Sequence, residues 1–68
     1  MAKNVRLKAA RAAHGLSQKD LAEAVGVTRQ TIIAIENGDY NPTLRLCIEI
    51  CRRLHTTLDQ LFWEDEEG

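Results

Sequence analysis

The chain has 68 residues, 44% hydrophobic and 28% charged, with a formal net charge of −1 at pH 7. This length makes residues 1–68 a single domain that buries only about 60% of its unfolded surface, so a partner subunit would help it. The composition is that of an ordinary soluble domain rather than a disordered tail. No apolar run is long enough for a membrane span and no signal peptide is evident, which predicts a cytoplasmic protein with no membrane partner.

The charge is unevenly spread. Residues 1 to 35 hold six basic side chains (Lys3, Arg6, Lys8, Arg11, Lys19, Arg29) against two acidic ones, Asp20 and Glu23. Glu64, Asp65, Glu66 and Glu67 make an acidic tail. Only the local field within a Debye length of about 8–10 Å acts on a phosphate, so a nucleic-acid face and an acidic far side are compatible with the balance.

The first helix is expected over about 3–14, with Val5, Leu7, Ala10 and Ala13 as its inward stripe and Gly15 as its C′ stop. The second is expected over 18–25. Ser17 is its N-cap, Asp20 completes a capping-box pattern, and Leu16 and Leu21 take the two staple positions. Thr28 caps a third helix over 29–36, with Val27 and Ile32 as the staple. Gly26 supplies the permissive backbone of the tight turn between them. Leu21, Ala22, Val25, Val27, Ile32 and Ile35 face inward, which leaves Arg29, Gln30, Ile33 and Ala34 outside. A helix held at a fixed angle with Arg and Gln near its start suits reading of base edges in a major groove. This is a helix-turn-helix signature.

Asn37-Gly38 ends the third helix, and residues 38–42 form a loop by their turn residues. Thr43 caps a fourth helix over 43–55, whose expected buried stripe is Leu44, Cys47, Ile48, Cys51 and Leu54, with Ile50 beside it. Leu46 falls at the edge of that stripe, either as a subunit contact or under a neighbouring side chain. Thr57 and Gln60 make another capping box, opening a short fifth helix over 58–62.

Gln18, Leu21, Ala22, Gly26, Val27, Ile32, Ile35, Glu36, Asn37-Gly38 and Pro42 resemble the pattern of phage-repressor-type (XRE family) helix-turn-helix regulators. The match continues through Leu44, Leu54 and Leu58-Asp59-Gln60-Leu61-Phe62, covering roughly residues 5 to 62. The resemblance implies an all-α, lambda-repressor-like domain of five short helices that binds DNA as a dimer. It also implies an ion pair between Arg11 and Glu36 that fixes the third helix. In some small members of the family the two ends pair as strands. Here Lys3-Asn4-Val5-Arg6 and Phe62-Trp63-Glu64-Asp65 are the segments for that, with frayed ends as the alternative.

Arg29 and Gln30 are the foremost candidates for base contact, Arg to guanine and Gln to adenine, with solvated surface or a phosphate grip as the plainer readings. Thr31 can reach a phosphate or a base edge. Ile33 and Ala34 can pack on thymine methyls, or Ile33 can fold back toward the second helix. Gln18 and Thr28, each at a helix start, and Asn37, Tyr40, Asn41 and Arg45, in or after the loop, are candidates for backbone contact. Leu46, Leu58, Phe62 and Trp63 are candidates for a dimer seam.

Cys47, Cys51 and His55 recur every four residues on one helix, but no fourth ligand is evident and His14 has no obvious reason to arrive there. Both cysteines suit the core, so no metal is expected. No cofactor, small-molecule ligand or enzymatic constellation is evident. The expected function is sequence-specific binding of an inverted-repeat operator by a homodimeric regulator, most simply a repressor. The alternative is a protein-interaction module such as an antitoxin.

Overall fold

A computed structural model describes residues 4–62, and every regular element among them is helical. In order these are α1 (Val5–Ala13), α2 (Gln18–Val25), α3 (Arg29–Asn37), α4 (Leu44–Arg53) and α5 (Leu58–Leu61). Helices this short lose a large share of their backbone N–H groups to unpaired first turns, so each start needs a side-chain acceptor. Asn4, Ser17, Thr28, Thr43 and Thr57 supply it, accepting from the N–H groups of Leu7, Asp20, Thr31, Leu46 and Gln60. These caps place the starts of α1 and α4 inside the ranges expected from the pattern.

The core holds Leu7, Leu21, Ala22, Ile32, Ile35, Leu46, Ile50, Cys51, Leu54 and Leu61. α2 packs on α3 and α4, α5 on α4 and α1, and α1 on α3. Ala22 is buried in α2, the helix that both α3 and α4 cross.

Four expectations need correction. The buried side of α4 is Leu46, Cys47, Ile50 and Cys51, continued by Leu54, whereas Leu44 and Ile48 are 65% and 39% exposed. The apolar run supports a helical stripe on either side, and the packing of α2 and α5 selects between them. On α1 only Leu7 is fully buried and Ala10 partly so; Val5 is 66% exposed and Ala13 is exposed. The expected strand at the N-terminus is not formed over 4–6, because Asn4 is the cap of α1 and Val5 and Arg6 are its first turn. Trp63 and the rest of the opposing segment lie outside the described residues. The Thr57–Gln60 box is half made: Thr57 Oγ1 accepts from the Gln60 N–H, but the Gln60 side-chain Oε1 accepts from the Thr56 hydroxyl.

The Asn4 backbone N–H donates to the Glu36 carbonyl at 2.9 Å, and its Nδ2 donates to the Leu61 carbonyl at 2.9 Å. One residue thus ties the start of α1 to the ends of α3 and α5.

Candidate nucleic-acid interface

The α2–turn–α3 unit is set by bonds spanning three to five residues. The Asp20 N–H donates to Ser17 Oγ and the Ser17 N–H to Asp20 Oδ2, both at 3.0 Å, which is a complete capping box. The Ser17 backbone N–H and then its hydroxyl hold the Asp20 carboxyl below its ordinary pKa. At the turn Gly26 has φ +79°, and the Val27 N–H donates back to the Ala22 carbonyl at 2.9 Å. A Cβ on Gly26 would meet nothing within 4 Å, so glycine is required there by the left-handed backbone and not by space.

α3 is anchored on one side and open on the other. Ile32, Ile35 and Glu36 are buried, and Arg29 and Gln30 are exposed, their side chains bonded to no other described residue. Thr28 caps the helix, and its Oγ1 lies 3.1 Å from Thr31 Oγ1, so the two hydroxyls share a hydrogen bond at the exposed start of α3. Ile33 and Ala34 are half-buried, and Ile33 is not among the side chains packed against the core.

Glu36 holds this helix in place. Arg11 Nε donates to its Oε2 at 2.7 Å and Arg11 Nη2 to its Oε1 at 3.3 Å, with side-chain exposures of only 12% and 4%. Arg11 Nη1 also donates to the Leu16 carbonyl at 2.8 Å. Gln18 Nε2 donates to Glu36 Oε1 at 3.0 Å, a bond the pattern gave no reason to expect. A buried carboxylate needs its lone pairs satisfied, and α1 and α2 both contribute donors. Gln18 thus helps hold the buried carboxylate of Glu36.

Asn37, Tyr40, Asn41 and Arg45 are all exposed at or beyond the end of α3. Leu46 is not available as a subunit contact: it is 9% exposed and part of the core. Leu58 and Phe62 are half-buried against that core, and Trp63 lies outside the described residues. Leu44 and Ile48 were missed as exposed apolar positions; only the orientation of α4 identifies them.

Cys47 and Cys51 are buried free thiols, and burial raises the pKa of both. They are core residues held protonated, poorly suited to ligate metal. The sequence offered no reason for His14 to arrive beside His55, yet their ring centroids stand 5.8 Å apart.

A family model described as helix-turn-helix matches residues 7–61. The chain belongs to the XRE-type helix-turn-helix family. It is a family of DNA-binding transcriptional regulators and not of enzymes. The chain is 48% identical over 63 residues to the uncharacterized HTH-type transcriptional regulator YgzD of Bacillus subtilis, covering 93% of this chain and 96% of that one. An uncharacterized HTH-type transcriptional regulator of Methanocaldococcus jannaschii is also 48% identical over 63 residues, covering 91% and 96%. Among solved structures, the restriction-modification controller protein C.AhdI from Aeromonas hydrophila superimposes with a TM-score of 0.80 at 32% identity, over 87% of this chain and 89% of that chain.

Proposed function

We propose that this chain is a sequence-specific regulator that binds an inverted-repeat operator as a homodimer, with α3 of each copy in the major groove, and represses by excluding polymerase. The observation that carries this reading is the contrast on α3. Glu36, Ile32 and Ile35 lock one side, while Arg29 and Gln30 stand exposed at the start of the other, their side chains bonded to no other described residue. In this reading Gln30 and Arg29 contact base edges, Ile33 and Ala34 meet thymine methyls, and Thr28 and Thr31 reach a phosphate or base edge. Gln18, Asn37, Tyr40 and Arg45 grip the backbone.

A single copy has one α3 and spans 33 Å along its longest axis. Engaging two successive grooves, about 34 Å apart, requires a second copy. Leu44 and Ile48 lie four residues apart, one helical turn, on the outer side of α4. They support a seam there.

The test is whether the purified chain alone retards an inverted-repeat fragment from its own promoter region, with affinity falling steeply as salt rises. Sedimentation should show two chains per operator. Failure of the lone chain to discriminate that fragment from unrelated duplex would overturn the reading and favour a protein partner.

A further inference from the structure

His14 and His55 come from opposite ends of the chain and meet on the surface. Their ring centroids are 5.8 Å apart and the planes are tilted by 37°. Both residues are exposed. His14 is the C-cap of α1, and His55 follows the C-cap of α4. Two helix C-termini therefore converge at the pair, and the negative ends of their dipoles favour a cation.

His55 also occupies a costly backbone. Its φ of 53° makes it the one non-glycine residue at positive φ among the described residues, in company with Gly15, Gly26 and Gly38. The other charged groups at this corner are Glu49, Arg52 and Arg53, which line a cleft with His55 and Ala24. Arg11, in the last turn of α1, is occupied by Glu36.

We propose that His14 and His55 form a two-imidazole site for a divalent first-row transition metal ion of the class of Zn2+, Ni2+ or Cu2+, clamping the end of α1 to the turn between α4 and α5. Imidazole nitrogens select this class of ion over Mg2+ and Ca2+. Two imidazoles that bind one ion at about 2.0–2.1 Å stand with ring centres roughly 5–6 Å apart, close to the separation found here. Among the described residues no group of three or more His, Cys, Asp or Glu is placed to share an ion, so water completes the coordination. Arg52 and Arg53 oppose the ion's charge, which makes the site a modest binder. The ion joins α1 directly to the α4–α5 turn, whereas the packing partners of α1 are α3 and α5.

The experiment is titration of the tag-free, metal-stripped full chain with zinc chloride and, separately, nickel chloride, followed by calorimetry and by the His ring resonances in NMR. The expected result is one ion per chain, perturbation of both rings, and a rise in Tm. Affinity should weaken by about tenfold or more in His14→Ala and in His55→Gly. His55→Gly keeps the left-handed turn, so loss of binding in that variant is not a loss of fold. Binding unchanged in either variant, or no ring perturbation in the native chain at millimolar ion, overturns the proposal.

Discussion

Glu36 is where single side chains matter most. It is nearly sealed from water, and its carboxylate is met by Arg11 from α1 and Gln18 from α2. Arg11→Met leaves that carboxylate with one weak donor in a dry place, and the expected loss of stability is about 3–5 kcal/mol in urea unfolding. Gln30 has no such structural duty, because it is exposed and bonded to no other described residue. Gln30→Ala should leave the unfolding midpoint unchanged. In competition binding it should reduce discrimination between the operator and a single-base variant by about 1–3 kcal/mol. If affinity and base preference both survive, Gln30 is not a reader.

For the helices, the informative features are their ends. The box at the start of α2 depends on an ionised Asp20, whose folded pKa is lowered by the Ser17 N–H and hydroxyl. A lowered folded pKa means the contribution is present above the ordinary carboxylate pKa and is lost as pH falls through the folded value. Urea midpoints measured into acid should therefore fall less steeply in Asp20→Asn than in the native chain. At the other kind of end, α4 closes with the His55 N–H on the Arg52 carbonyl at 3.3 Å and the Thr56 N–H on the Cys51 carbonyl at 3.0 Å. This is the paired-bond ending that glycine usually completes, as Gly15 does after α1. His55→Gly should raise stability by about 1 kcal/mol, the left-handed cost of an L side chain less the extra entropy of glycine. A lower Tm in that variant would show that the histidine is held by contacts worth more than its strain.

For the molecule as a whole, the orientation of α4 decides which apolar groups remain for a second copy. Leu44 and Ile48 are outside and Leu46 is inside. Ile48→Glu should leave the fold intact, convert dimer to monomer in sedimentation, and weaken binding to the inverted repeat far more than to a half-site. Leu46→Glu should unfold the chain instead. If Ile48→Glu remains dimeric, the seam lies elsewhere on the surface.

Much of this protein is legible along the chain because its devices are short. Ser17 with Asp20, Thr28 before Arg29, Thr43 before Leu44 and Gly26 in the turn act over one to five residues, and hydrogen bonds at that range depend on neighbours in sequence alone. The alternation of apolar and polar positions in α2 and α3 separates their inner and outer faces for the same reason. What the fold alone decided are relations between distant segments. The apolar residues of α4 are dense enough to make a stripe on more than one side, so burial of Leu46 rather than Leu44 waited on α2 and α5. The Gln18–Glu36 bond, the tie from Asn4 to Leu61 and the meeting of His14 with His55 span 18 to 57 residues and leave no periodic trace. Local hydrogen-bonding chemistry is written in order along a chain, whereas contact between remote side chains exists only after the helices have packed.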